Sequence, residues 1–144
     1  MRDETRTSSP AVLREPRRRL PCRPADARRT LRHAVSEGCR SRALACAPEA
    51  MEDALLVTSE LATNAILHGG GITGFDVDVD SRGVWVSVSD RSDEMPTALA
   101  PRDEHGRSRP GGHGWPIVCR LARDVKVTEL PCGGKRITAV LALI

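Results

Sequence analysis

Apolar residues recur at helical spacing in two early segments of the chain. The first predicted helix covers residues 25–37, and Gly38 is expected to end it. The second predicted helix covers residues 48–68 and carries a broader apolar face. Three consecutive glycines at positions 69–71 are expected to stop this second helix sharply.

Further along, apolar and polar residues alternate one by one, which is typical of strands with one buried face. Residues 75–79 and 84–88 follow this rule, and the segment 81–83 between them predicts the turn of a hairpin. Because each strand has a single apolar face, we expect the sheet to be covered on one side only. The later predicted elements are a short helix at 116–123 and two strands at 124–130 and 135–144.

Composition indicates one small globular domain. The chain has 144 residues, of which 40% are hydrophobic and 28% are charged. The sequence contains neither a signal-peptide pattern nor an apolar run near membrane-spanning length, so we expect a cytoplasmic protein. The five cysteines form no CxxC pair, and we interpret them as reduced thiols that pack as small apolar residues.

The net charge of +3 is distributed unevenly. Residues 1–24 hold seven arginines against three acidic residues, whereas the remainder of the chain is close to neutral. We interpret residues 1–22 as a flexible Arg/Pro-rich leader and residues 23–144 as the folded domain. The leader is either a solvated arm, which we prefer, or a contact for nucleic acid or an acidic partner.

A polar stripe interrupts the apolar second helix. Glu60, Asn64 and His68 follow each other at intervals of four residues and therefore share one side of the helix. A carboxylate and a carboxamide oxygen suit a hard cation such as Mg²⁺, and the carboxylate can also accept a proton. The alternative is that this side of the helix simply faces solvent.

Two further motifs follow the helix. Asp90 stands where the second hairpin strand ends, and a carboxylate there can accept a hydrogen bond from an exocyclic amine such as adenine N6, or it simply forms a turn. Gly112 and Gly114 lead directly into the short helix, whose first free N–H groups favour phosphate. A Walker P-loop is excluded because Gly-Lys-Ser/Thr is absent after these glycines.

In this order, the three motifs resemble the GHKL ATPase superfamily, and most of all its stand-alone anti-sigma-factor serine/threonine kinases. The segment 53–69 is similar to their N-box, Asp90-Arg-Ser92 to their first glycine box, and Gly112-His-Gly114 to their second. The resemblance covers about residues 20–144. It implies a Bergerat-type ATP-binding fold: a two-layer α+β sandwich with a mixed, mostly antiparallel sheet and helices on one face.

The resemblance also implies roles for individual residues. Asn64 would hold Mg²⁺, Glu60 would be the general base, and Asp90 would bind the adenine amine. Ser92 and His68 would also lie at the cofactor site. Gly112 and Gly114 would approach the phosphates, and residues 97–110 would form a lid over ATP, where an arginine either meets the γ-phosphate or serves only solubility. His68 closes the helix near the site, and we favour a structural role for it.

One departure from the family pattern affects the adenine side. Relatives begin their last strand with Gly-Thr-Thr or Gly-Lys-Thr, and a threonine hydroxyl helps to hold the aspartate and adenine. Here the strand begins Gly134-Lys135-Arg136, so we expect Arg136 in the threonine place and Thr138 as the nearest hydroxyl. A second departure is Trp115, which stands where relatives have an aliphatic residue.

These features predict a kinase that transfers phosphoryl from Mg-ATP to a serine on a small antagonist protein and that binds a sigma factor. The alternative is a non-catalytic module that sequesters a sigma factor or another regulator and uses ATP only to set its shape. The resemblance further allows a homodimer. We expect no membrane contact and, with three aromatic residues in the whole chain, no base-stacking platform for nucleic acid.

Overall fold

A computed structural model describes residues 20–95 and 114–144. In these residues three helices pack against one face of a four-stranded sheet. The helices are α1 (Pro24–Arg42), α2 (Pro48–His68) and α3 (Gly114–Leu121), and the strands are β1 (Ile72–Asp80), β2 (Gly83–Asp90), β3 (Asp124–Glu129) and β4 (Lys135–Leu141). The two-layer α/β class expected from the sequence is confirmed.

The sheet has the strand order β1-β2-β4-β3. Every pairing between the described strands is antiparallel, so this part of the sheet is more regular than the mixed sheet that we expected. In the central pair, Val88 lies opposite Ile137 and Asp90 lies opposite Lys135. Because side chains alternate between faces, these four residues all point towards the helices.

The core lies between the helices and the inner face of the sheet. α1 covers β1, α2 covers β2 and β4, and α3 lies beside α2 next to β3. The fully buried aliphatic side chains include Leu31, Val35, Val57, Leu61, Val79, Val84, Val86, Val118 and Leu141. Burial of such side chains stabilises a domain by about 1.5–3 kcal/mol each relative to exposure, so this apolar layer is what holds α2 over the sheet.

The first helix is longer than its sequence predicted, because Gly38 does not end it. α1 continues to Arg42, and Ala43 closes it in the left-handed conformation. Gly38 lies over the sheet instead, where a Cβ built on it would come within 3.0 Å of Val79 Cβ. The glycine therefore allows close packing of helix on strand, and Arg42 at the helix end reaches Asp78 across a 3.8 Å ion pair.

The second helix has the predicted bounds. It ends at His68, and Gly69 and Gly71 both donate backbone hydrogen bonds to the carbonyl of Ala65, at 3.0 and 2.9 Å. These two bonds satisfy a carbonyl that the helix end would otherwise leave open. The glycines thus turn the chain at once from α2 into β1.

The third helix lies two residues earlier than predicted. It begins at Gly114 rather than Pro116 and ends at Leu121. The end of α3 is determined by the sheet, because Arg123 N–H donates to the carbonyl of Val140 at 2.7 Å. This bond pairs the chain with β4 just before β3 begins. The last strand is shorter than predicted, and the carbonyl of Leu143 beyond it accepts a hydrogen bond from Ala47 N–H at 2.8 Å.

All five cysteines are free thiols. Cys39 is buried and Cys46 is partly buried, and burial raises the pKa of the Cys46 thiol. Cys22, Cys119 and Cys132 are exposed, so the interpretation of cysteines as packed apolar residues fits only the first two. Among the described helices, none combines the length and apolar character needed to cross a membrane.

Candidate functional site

The predicted polar stripe lies on the exposed margin of α2. Glu60 and Asn64 are half-buried, and His68, the last residue of the helix, is exposed. Their spacing places Asn64 about 6 Å further along the axis than Glu60, on the same side of the helix. The side chains of Glu60 and Asn64 are therefore partly screened from solvent by the structure around them.

The start of α3 lies directly against Glu60. A Cβ built on Gly114 would fall 2.4 Å from Glu60 Oε1, so only a glycine allows this contact. The helix N-terminus carries free N–H groups and the positive end of the helix dipole. The contact therefore sets a carboxylate on α2 beside a helix start that favours anions.

Asp90 lies at the end of β2, as predicted, and touches the end of α2. A Cβ built on Gly69 would lie 2.4 Å from both Cγ and Oδ2 of Asp90. The two chain segments are also joined by their backbones, since Arg91 N–H donates to the carbonyl of Gly69 at 2.9 Å. α2 therefore brings the polar stripe and Asp90 to one side of the molecule.

The carboxylate of Asp90 is buried and paired with Lys135. Lys135 Nζ lies 3.1 Å from both Oδ1 and Oδ2, and the side chains are only 5% and 8% exposed. Ser92 completes the group, because its N–H donates to Asp90 Oδ1 at 2.9 Å. Breaking such a buried pair is costly, because it leaves a desolvated charge without a partner.

Arg136 and Thr138 do not join this group, which corrects our expectation for the adenine side. Both lie on the outer face of the sheet: Arg136 Nε donates to Ser89 Oγ at 3.3 Å, and the hydroxyl of Thr138 lies 2.8 Å from that of Ser87. The reason is the two-residue period of the strand. With Ile137 buried in the core, its neighbours on both sides must point away from α2.

Lys135 is the functional candidate that the sequence interpretation missed. Ile137, Ala139 and Leu141 are buried on the inner face, and the same alternation places Lys135 on that face. This signal was present in the sequence. The pairing with Asp90 was not, because it depends on the register between β2 and β4.

Several predicted residues lie outside the described ranges. Gly112, the lid at residues 97–110 and the arginines within it belong to this group, as does most of the leader at residues 1–22. Their assigned roles stay predictions.

The described residues fit a Mg-nucleotide. Asn64 and Glu60 supply hard oxygen donors on one side of α2, and the N-terminus of α3 lies beside them. Asp90 supplies a buried acceptor next to Gly69. Within residues 20–95 and 114–144, no three His, Cys, Asp or Glu side chains gather into a metal-binding group.

The fold and this arrangement define a nucleotide-binding α/β domain of the ATPase type. The model of the histidine kinase-like ATPase domain family matches residues 20–141, and the chain belongs to this family, which is part of the GHKL superfamily. The match supports an ATP-binding, ATPase- or kinase-like regulatory protein. No curated protein matches the chain significantly.

Proposed function

We propose that this chain binds Mg-ATP beside α2 and acts as an anti-sigma factor with serine/threonine kinase activity towards a small antagonist protein. The observation that carries the proposal is the contact between Glu60 and Gly114. It sets a proton acceptor next to the helix start that favours phosphate, and Asn64 follows one turn later on the same side.

In this proposal each residue has one task. Asn64 supplies an oxygen ligand to Mg²⁺, which also binds the phosphates and neutralises their charge. Glu60 accepts the proton of the attacking serine hydroxyl. A bond forms between the serine oxygen and the γ-phosphorus, the bond to the β,γ-bridging oxygen breaks, and ADP is the leaving group. Asp90 accepts a hydrogen bond from the adenine amine.

The proposal is tested first by calorimetric titration with Mg-ATP. We expect saturable binding to the wild type and at least about tenfold weaker binding to Asn64→Ala, because a ligand of the metal is lost. Thr63→Ala is the matched control, since Thr63 is also half-buried but is not part of the stripe. Wild-type protein that does not bind millimolar Mg-ATP would contradict the proposal.

Catalysis is tested separately with Glu60→Gln. This variant keeps the shape of the side chain but cannot accept a proton, so we expect normal Mg-ATP binding with phosphoryl transfer reduced by about 10²–10⁴-fold. Transfer of labelled phosphate from ATP to an antagonist protein or water is the readout. Glu52→Gln, an exposed glutamate on the same helix, is the control and is expected to leave the rate unchanged.

The second candidate function is a non-catalytic module that binds ATP and sequesters a sigma factor. Such a module would retain a sigma factor equally well with Glu60→Gln and would show no phosphoryl transfer in the wild type. Labelled transfer that depends on Glu60 would support the kinase instead.

A further inference from the structure

The pair formed by Asp90 and Lys135 lies where the proposed site would meet a nucleobase. Asp90 is the last residue of β2, Lys135 is the first residue of β4, and the two face each other across the ladder. Both are buried beneath the end of α2. Lys135 is one of only two lysines in the chain, and the other, Lys126, is exposed on β3.

The hydrogen bonds of this pair are unequally divided between the two carboxylate oxygens. Oδ1 accepts from both Lys135 Nζ and Ser92 N–H, at 3.1 and 2.9 Å. Among the described residues, Oδ2 accepts only from Lys135 Nζ, at 3.1 Å. The ammonium group has a third proton, and Nζ also lies 3.4 Å from the carbonyl of Ser92. All three ammonium protons thus have an acceptor, and the lone pair that remains is on Oδ2.

Access to Oδ2 is controlled by Gly69. A Cβ at this position would lie 2.4 Å from Oδ2, so any side chain larger than hydrogen would cover the oxygen. Gly69 also fixes the end of β2, since its carbonyl accepts the N–H of Arg91. The residue therefore packs against Asp90 without the side chain that would collide with Oδ2.

We propose that Lys135 is a positioning residue that makes the site selective for adenine over guanine, an inference that rests on the proposed ATP site. Lys135 and Ser92 occupy both lone pairs of Oδ1, so Asp90 offers a base one hydrogen-bond acceptor, at Oδ2. The 6-amino group of adenine needs one such acceptor. Guanine presents two adjacent donors, N1–H and the 2-amino group, which need both carboxylate oxygens. The O6 atom of guanine would also face the carboxylate. A buried donor without a partner is strongly disfavoured.

The test compares Mg-ATP and Mg-GTP affinities, measured by calorimetry, for wild type, Lys135→Arg and Lys126→Arg. Lys135→Arg keeps the positive charge, and its guanidinium fork donates one hydrogen bond to each carboxylate oxygen, as the ammonium group does, so one acceptor is left at Oδ2. We therefore expect Lys135→Arg to retain the wild-type ATP:GTP affinity ratio. Lys126→Arg is expected to behave as wild type.

Lys135→Met is the variant that is expected to change the ratio. Without the ammonium group, Oδ1 keeps its hydrogen bond from Ser92 N–H, and both carboxylate oxygens have a free lone pair. GTP binding is therefore expected to strengthen relative to ATP binding by about tenfold or more. Circular dichroism confirms that each variant is folded. A purely structural lysine would weaken both nucleotides alike and leave the ratio unchanged.

The outcomes separate this inference from the proposed function. If the wild type binds Mg-ATP and folded Lys135→Met keeps the wild-type ATP:GTP ratio, or if Lys135→Arg lowers the ratio as much as Lys135→Met does, the inference is overturned while the ATP site stands. If the wild type binds neither nucleotide, both the proposed function and the inference fail. A lower ratio in folded Lys135→Met, with Lys135→Arg and Lys126→Arg unchanged, supports the inference.

Discussion

Asp90→Ala is expected to lower the free energy of unfolding by about 3–5 kcal/mol, which is a large share of the stability of a small domain. The substitution removes the carboxylate and leaves the ammonium group of Lys135 buried, and the carbonyl of Ser92 at 3.4 Å is its remaining acceptor in the described part of the chain. Chemical denaturation at neutral pH, followed by circular dichroism, measures the loss. The effect concerns folding and is expected without any nucleotide.

A double-mutant cycle identifies the buried charge as the cause. Asp90→Ala combined with Lys135→Met removes both charges, and we expect the double variant to be more stable than Asp90→Ala alone. Asp76→Ala is the control, because Asp76 is exposed on β1, and we expect a change within about 0.5 kcal/mol. A loss below about 1 kcal/mol for Asp90→Ala, which is typical of exposed ion pairs, would show that water reaches Lys135.

The pair also affects how nucleotide measurements are interpreted. A substitution of Asp90 that abolishes ATP binding has two explanations, a lost base contact and a displaced end of β2. Asn64→Ala avoids this ambiguity, because Asn64 is half-buried on the margin of α2 and does not belong to the Asp90–Lys135 pair. The ATP proposal is therefore tested better at Asn64 than at Asp90.

Sequence periodicity predicted the helices and strands well where local signals were strong. α2 has its predicted bounds because residues 69–71 stop it locally. α1 passes Gly38 because that glycine is required by packing against Val79, a contact between residues far apart in sequence. The start of α3 was predicted two residues late, since Gly114 begins it against Glu60.

In the candidate site, too, local sequence patterns predicted some features, whereas contacts between residues far apart in sequence determined others. Helical spacing and the end of a strand indicated Glu60, Asn64 and Asp90, and the resemblance implied their roles. The structure brings Glu60 to Gly114 and Asp90 to the end of α2. Thr138 is the nearest hydroxyl along the chain, but the two-residue period of the strand places it on the outer face. The pairing of Lys135 with Asp90 needed the register between two strands, which depends on the assembled sheet.

Gly134→Ala is expected to destabilise the protein far more than Gly133→Ala, although the two glycines are neighbours in one turn. Both have a positive φ, +87° for Gly134 and +99° for Gly133, and an alanine in such a conformation costs about 1–2 kcal/mol. A Cβ on Gly133 would have no atom of the described residues within 4 Å. A Cβ on Gly134 would lie 2.1 Å from the backbone oxygen of Asp90, and a backbone atom of a paired strand is costly to displace.

The additional cost at Gly134 is about 1–3 kcal/mol or more, as for overpacking in a rigid interior. Denaturation of both variants measures this cost, because the loss in the free energy of unfolding for Gly133→Ala gives the strain of the positive φ alone. Equal losses for the two variants would mean that the end of β2 moves aside at little cost. Because Gly134 N–H also donates to Asp93 Oδ1 at 2.8 Å, a shift there displaces the loop that carries Ser92. We therefore expect Gly134→Ala, and not Gly133→Ala, to weaken Mg-ATP binding as well, since the turn sets the position of Asp90 and its pairing with Lys135.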